Sequence, residues 1–166
     1  MRVLITGGAG FLGRHLIAGL NGLGGLPVSI DRQAVGGISR PHFDLTDYDE
    51  LANGIWRKGC GKEDFTHIFN LAVDYKDVEA SRAIDQNMVR FWTEHYPEAR
   101  FITLGTSCAY EPSQATKTPE DYLMGEPEPA HREYALQKRT LLKLLQDCPS
   151  ENYAYAIPCS MYGEDC

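Results

Sequence analysis

"TGGAGFLG", residues 6–13, is the stretch of this chain that decides its fold. It follows an apolar run, residues 2–6, that predicts a short buried strand. It opens a segment, residues 11–23, whose leucines recur at helical spacing. A glycine loop between a strand and a helix suits a phosphate group, because the helix N-terminus offers unpaired N–H groups and the positive end of its dipole. The pattern predicts a dinucleotide-binding turn, with a plain strand–helix turn as the alternative.

The glycines of this stretch have distinct expected roles. Gly7 would make the tight turn, Gly10 would let a pyrophosphate approach the backbone, and Gly13 would let the helix pack closely on the strand. Asp31 closes the next predicted strand, where an acidic side chain accepts hydrogen bonds from the adenosine ribose. The adjoining Arg32 is suited instead to a 2′-phosphate. We expect NAD in preference to NADP, because Asp31 would repel that phosphate.

Strand-like and helix-like segments alternate along the rest of the chain. Further strands are predicted at 24–31, 40–45, 66–73, 99–107 and 152–163. Further helices are predicted at 46–59, 77–96 and 131–147. Thr46 is the expected cap of the first of them, and the proline-rich, acidic residues 111–130 are expected to form a long loop. This order indicates an α/β fold, a Rossmann-type doubly wound parallel sheet in three layers, with residues 1–166 as a single NAD(P)-binding domain.

Composition excludes several classes of function. The formal net charge of the 166 residues is -7, which disfavours binding to nucleic acid or anionic lipid through the overall field. No run of about 18 apolar residues is present, so no membrane span is expected. The five cysteines are an odd number without a C-x-x-C pair, which indicates free thiols and a cytoplasmic location. Histidines and cysteines do not cluster, so no metal site is expected.

A candidate catalytic group lies on the predicted helix at 131–147. Tyr134 and Lys138 are four residues apart, which places them on one helix face. A neighbouring ammonium favours the phenolate and would lower the pKa of the tyrosine. The phenol could then exchange a proton with the oxygen of a substrate alcohol or ketone. Ser107, expected at the end of the fifth strand, would hydrogen-bond the same oxygen. These residues indicate general acid–base catalysis coupled to hydride exchange with a nicotinamide; the alternative is an ordinary exposed pair.

Six short stretches, spread over nearly the whole chain, extend this interpretation. They are "TGGAGFLG" (6–13), "DLTD" (44–47), "FNLA" (69–72), "LGTSCAY" (104–110), "YALQK" (134–138) and "IPCSMYG" (157–163). Together they resemble the extended short-chain dehydrogenase/reductases that act on nucleotide sugars. Within that family the chain is most similar to the GDP-fucose synthases, the 3,5-epimerase/4-reductases of GDP-4-keto-6-deoxymannose, in "LGTSCAYEP" and in the segment leading to the tyrosine.

The resemblance implies a role for each matching position. Ser107, Tyr134 and Lys138 would be the catalytic triad, and Cys108 matches an acid/base of the epimerisation; a small buried thiol is its alternative. Asp44 and Leu45 would flank the adenine, and Pro158 would meet the nicotinamide. The implied cofactor-binding set is Gly7, Gly10, Phe11, Leu12, Gly13, Asp31, Arg32, Asp44, Leu45, Leu71, Ala72, Tyr134, Lys138 and Pro158. The resemblance also implies a homodimer through helices 77–96 and 131–147.

The chain also departs from the family. The family's chains are about twice as long, so the C-terminal subdomain that binds the sugar nucleotide is expected to be absent. Residues 72–81 lack the expected glycine-rich insert, and Ser160 and Glu164 replace an asparagine and a proline. Three functions stay open: a nucleotide-sugar epimerase/reductase truncated after its cofactor domain, a cofactor-binding remnant that acts as a sensor or partner without turnover, and a short carbonyl reductase with a small substrate.

Overall fold

Strands and helices alternate in the structure, a computed structural model that describes residues 1–32, 39–41, 43–57, 65–110, 125–127 and 129–158. Its strands are β1 (Arg2–Thr6), β2 (Leu26–Asp31), β3 (Ser39–Pro41), β4 (His67–Asn70), β5 (Arg100–Leu104) and β6 (Tyr153–Ala156). Its helices are α1 (Phe11–Gly22), α2 (Tyr48–Arg57), α3 (Val78–His95) and α4 (Arg132–Gln146). Short 3₁₀ turns cover Ser107–Ala109 and Pro129–His131.

One parallel sheet contains all of these strands, in the order β3-β2-β1-β4-β5-β6. The chain moves outward from β1 to β3 on one side and then from β4 to β6 on the other. The strand order therefore reverses between β1 and β4. A ligand crevice forms at such a reversal, outside the carboxyl ends of the strands. The predicted Rossmann-type, doubly wound parallel sheet is confirmed.

Helices cover both faces of the sheet and make the predicted three layers. Successive strand residues point to opposite faces, and β1 shows this directly. Val3 and Ile5 pack with Leu20 of α1 on one face. Leu4 packs on the other face, in a larger core with buried side chains of α2, α3 and α4. Both core clusters are nearly inaccessible to solvent, so the carboxyl edge of the sheet rests on a rigid support.

Sequence reasoning misplaced several element ends. The fifth strand ends at Leu104, and Ser107 begins a 3₁₀ turn instead of closing the strand. The third strand, predicted at 40–45, covers 39–41. Thr46 does not cap α2, because its hydroxyl donates to Asp44, and Asp47 Oδ1 accepts from Glu50 N instead. Most of the predicted loop 111–130 and the end of the predicted strand 152–163 lie outside the described residues.

Two further expectations concern the described part of the chain. Cys108 and Cys148 are free thiols, as the cysteine pattern indicated. No helix within the described ranges is long and apolar enough to cross a membrane.

Candidate active site at the carboxyl edge of the sheet

The turn between β1 and α1 approaches other backbone too closely for side chains. Gly7 has a φ of +70°, and a Cβ there would lie 2.8 Å from backbone atoms of Leu71 and Ala72. A Cβ on Gly13 would lie 2.3 Å from the Gly7 carbonyl oxygen. A hydrogen bond of 3.0 Å from Gly10 N to Gly7 O closes the turn. Close packing therefore requires glycine at positions 7 and 13.

A cavity of about 560 Å³ opens at this turn, within the range of small-molecule sites. The predicted cofactor residues that line it are Gly7, Gly10, Phe11, Leu12, Gly13, Asp31, Arg32, Leu45, Leu71 and Ala72. Asp31 Oδ2 accepts a hydrogen bond of 3.0 Å from Ala9 N, which fixes the carboxylate beside the turn. A cavity of this size along a glycine-rich turn fits a dinucleotide.

The expected adenosine end of this cavity carries more negative charge than the sequence pattern indicated. Asp44 lines an adjoining cavity of about 370 Å³ together with Arg32 and Asp74. Hydrogen bonds from the Thr46 hydroxyl and N–H hold the pKa of Asp44 below its usual value. Arg32 pairs with Asp74 at 3.3 Å. Sequence reasoning weighed Arg32 against Asp31 alone and missed Asp74, which is distant along the chain.

The predicted catalytic residues meet at a third cavity, of about 250 Å³. Ser107, Cys108, Tyr134, Lys138 and Pro158 all line it. This cavity and the larger one share part of their walls. The shared residues are Leu71, Ala72, Val73, Tyr75 and Leu104. The two cavities are therefore neighbouring compartments of one crevice at the reversal of strand order.

Side chains of α4 and β6 hold the elements of the candidate site together. Arg139 Nε donates to the carbonyl oxygen of Ala109 at 3.1 Å, and Arg139 Nη2 donates to that of Gly125 at 2.7 Å. These bonds tie the Ser107–Ala109 turn to α4. The hydroxyl of Tyr155 donates to the Lys138 carbonyl oxygen at 2.8 Å. The Ser107–Ala109 turn and β6 thus fix the position of α4 relative to the end of β5.

The electrostatics around Tyr134 correct one expectation. Burial raises the pKa of Tyr134 to about 12, and the negative charges that Tyr75, Asp85 and Cys108 can carry add to that increase. The expected net lowering of the Tyr134 pKa is wrong for this structure, because burial outweighs it. Lys138 Nζ lies 5.9 Å from the centre of the Tyr134 ring and 3.4 Å from the carboxylate of Asp85. Lys138 therefore lies nearer to the Asp85 carboxylate than to the Tyr134 ring, and burial raises the pKa of that carboxylate while Lys138 lowers it. A pKa of about 12 leaves Tyr134 a protonated phenol at neutral pH.

Sequence reasoning missed the buried polar group behind Lys138. Asp85 of α3 is 3% exposed and accepts hydrogen bonds from Asn70, Gln137 and Lys138. A signal was present in the sequence. Asp85 occupies a helical stripe with Met88, Val89 and Trp92, so a carboxylate interrupts an otherwise apolar face.

Comparisons with known proteins agree with this architecture. The model of the NAD dependent epimerase/dehydratase family matches residues 3–165. A comparison with curated protein sequences finds no significant match.

Several solved structures share the fold. A GDP-L-fucose synthetase from Naegleria fowleri bound to NADP has a TM-score of 0.77 at 17% identity, over 98% of this chain and 55% of that chain. The Bordetella bronchiseptica enzyme WbmG in complex with NAD and UDP has a TM-score of 0.74 at 23% identity, over 93% and 52%. L-threonine dehydrogenase from Phytophthora infestans has a TM-score of 0.75 at 21% identity, over 93% and 52%. The chain spans about half the length of each.

Proposed function

The chain belongs to the NAD-dependent epimerase/dehydratase family, and on that basis we propose that it binds NAD along the glycine turn and acts on a carbonyl or alcohol group of a nucleotide sugar. Ser107, Tyr134 and Lys138 are the proposed catalytic residues. Similarity to a GDP-L-fucose synthetase and to an enzyme in complex with NAD and UDP supports the substrate class. The activity is proposed for the protein as a whole, since the chain spans about half the length of these neighbours.

One observation carries this proposal: the cavity that contains the three catalytic side chains adjoins the glycine-turn cavity along a shared wall. A dinucleotide whose pyrophosphate lies at Gly10 would extend along Leu71 and Ala72 toward Tyr134. A substrate oxygen placed beside Tyr134 would then lie close to the reactive end of the cofactor. Proximity of this kind is a large part of enzymatic rate acceleration.

The protonation state of Tyr134 favours carbonyl reduction. A phenol with a pKa near 12 is protonated at neutral pH, so it is ready to donate its proton to a ketone oxygen. Ser107 would hold the same oxygen with its hydroxyl. Bound NADH would supply the hydride, so the ketone becomes an alcohol and the phenol becomes a phenolate. Lys138, at the wall of the same cavity, would stabilise that phenolate.

The proposed preference for NAD rests on the charges at the adenosine end. Asp31 is fixed there by the Ala9 N–H, where it can accept hydrogen bonds from ribose hydroxyls. A 2′-phosphate would meet this carboxylate. It would also meet an Arg32 already paired with Asp74.

Cys108 lines the catalytic cavity, as an acid/base for epimerisation requires.

Replacing the phenol tests the catalytic assignment. Tyr134→Phe removes the proposed proton donor, and we expect NADH oxidation with GDP-4-keto-6-deoxymannose to fall roughly 10²- to 10⁴-fold, the usual contribution of a general acid. Absorbance at 340 nm follows the reaction. Tyr153→Phe is the matched control, because Tyr153 lies on β6 and lines neither cavity.

Two outcomes would contradict the proposal. Equal rates for Tyr134→Phe and the wild type would show that another group donates the proton. Calorimetric titrations that show no binding of NAD, NADH, NADP or NADPH would refute the cofactor site itself. Binding without turnover on any nucleotide sugar would instead support the cofactor-binding protein without catalysis.

A further inference from the structure

Asp85 is a buried carboxylate that lines neither the glycine-turn cavity nor the cavity around Tyr134. Its Oδ1 accepts from Asn70 Nδ2 at 2.9 Å, and its Oδ2 accepts from Gln137 Nε2 and from Lys138 Nζ. Asp85 and Lys138 are 3% and 4% exposed. Replacement of both members of a buried ion pair by apolar residues of similar size is often neutral or stabilising, because the pair has to offset the loss of hydration of both groups.

The carboxylate also belongs to a chain of buried hydrogen bonds that reaches the glycine turn. Thr6 Oγ1 donates to Asn70 Oδ1 at 2.8 Å and accepts from the N–H groups of Leu71 and Ala72, each at 3.1 Å. The backbone at Leu71 and Ala72 is the one that approaches Gly7. Asp85 therefore lies between the turn proposed to hold the cofactor and the lysine proposed to act beside it.

We propose that Asp85 is a positioning residue that anchors the Lys138 ammonium at the cavity wall and thereby limits how strongly its positive charge acts on Tyr134. This inference rests on the proposed function for the importance of Tyr134 as a proton donor. The electrostatic relation among the three side chains is independent of any substrate or cofactor. Asp85 touches neither cavity, so it acts only through its neighbours.

The charges around Tyr134 determine the sign of the expected effect. Lys138 is on the same helix as Tyr134. Asp85 faces Tyr134 from α3, Cys108 faces it from the 3₁₀ turn, and Tyr75 faces it from the loop after β4. Tyr155 of β6 also interacts electrostatically with Tyr134. Of these groups, Asp85 and Lys138 form the ion pair. Removing the carboxylate leaves an unbalanced ammonium, which favours the phenolate; removing the ammonium leaves an unbalanced carboxylate, which disfavours it.

Fluorine NMR of protein labelled with 3-fluorotyrosine tests this relation. Fluorination makes phenols more acidic, so Tyr134 titrates where the protein is folded, and loss of its resonance in Tyr134→Phe assigns it. We expect Tyr134 to titrate about one pH unit lower in Asp85→Asn and at higher pH in Lys138→Met. Glu79→Gln, an exposed change on the same helix, is expected to leave the titration where it is.

The anchoring role predicts a second, independent effect. Asp85→Asn should weaken NADH binding about tenfold, the scale of one charge-assisted hydrogen bond, because Lys138 is no longer held at the wall. In a Lys138→Met background the same change should have little effect on the dissociation constant, because Asp85 acts through Lys138.

The outcomes separate this inference from the proposed function. An unchanged Tyr134 titration in both Asp85→Asn and Lys138→Met overturns the inference. If Asp85→Asn does not fold, Lys138→Met alone decides, and a titration equal to that of the wild type overturns it. Failure of the wild type to bind any nicotinamide dinucleotide refutes the proposed function, while the fluorine titration still decides on Asp85.

Discussion

Asp74 pairs with Arg32 and thereby changes which charges Arg32 is able to bind. Its carboxylate accepts N–H groups from Lys76 and Asp77 and pairs with Arg32. The hydrogen bond from the Lys76 N–H, with that pair, holds the pKa of Asp74 below its usual value, so it is charged at neutral pH. Arg32, read in the sequence as a possible partner of a 2′-phosphate, is thus already engaged by an anion.

Neutralising Asp74 should therefore shift the choice of cofactor. Asp74→Asn keeps an oxygen for the two N–H groups and removes the charge. We expect the ratio of NADPH to NADH affinity to rise about threefold, a modest change because the pair is exposed to solvent. Calorimetric titration with both cofactors measures it, and Glu79→Gln controls for the loss of one nearby charge. An unchanged ratio would mean that Arg32 does not discriminate.

At this scale the sequence located most of the candidate site. The spacing of Tyr134 and Lys138 put them on one helix face, and the motif at 104–110 marked Ser107. It did not reveal that Lys138 is paired with Asp85, since that pair joins positions 53 residues apart. The pKa expectation for Tyr134 was wrong because burial of the side chain, which only tertiary packing determines, raises that pKa.

In the β1–turn–α1 unit, close packing leaves no space for a side chain at two of the glycines. Helix α1 starts so close to the turn that Gly13 contacts the backbone of Gly7 and Gly8. Gly19, on the same helix, has no heavy atom within 4 Å of the position of a Cβ. The two glycines thus form a matched pair, one required by packing and one free of it.

Alanine substitutions at these two glycines should have opposite effects. Gly13→Ala forces α1 away from the turn, and we expect a loss of about 1–3 kcal/mol in unfolding free energy and at least tenfold weaker NADH binding. Gly19→Ala should stabilise the helix by about 0.5–1 kcal/mol and leave NADH binding unchanged. Denaturant unfolding and calorimetry measure both. Normal NADH binding by a folded Gly13→Ala would show that the close approach is not needed.

Element boundaries were the weaker part of the sequence analysis. Apolar residues continue past the end of β4 into 71–73, so the strand was predicted too long. In the structure these residues leave the sheet and line the glycine-turn cavity instead. A strand ends where its neighbour no longer pairs with it, and pairing between β1 and β4 ends at Asn70. Local sequence does not contain that information.

At the scale of the molecule, the homodimer through helices 77–96 and 131–147 stays a prediction. The matching helices α3 and α4 lie side by side on one face of the sheet. Leu136 on α4 is a large apolar side chain that is 38% exposed. If the predicted dimer forms through α4, substitution of this exposed leucine tests it.

A charged substitution at Leu136 should therefore weaken the predicted dimer. We expect Leu136→Arg to shift the protein from dimer to monomer in multi-angle light scattering, because it buries an unpaired charge at the interface. Leu23→Arg is the control, since Leu23 is 84% exposed at the end of α1, away from these helices. A wild type that is monomeric at all concentrations would contradict the prediction.

The sequence by itself determined the fold class, because alternation of apolar runs with helical periodicity leaves few arrangements other than a parallel sheet covered on both faces. It also determined the glycine turn at residues 6–13, since strand, glycines and helix are contiguous. Tertiary structure alone decided which charges meet. Arg32 with Asp74 and Asp85 with Lys138 are pairs between distant segments, and packing, not local preference, sets the distances on which electrostatics depends.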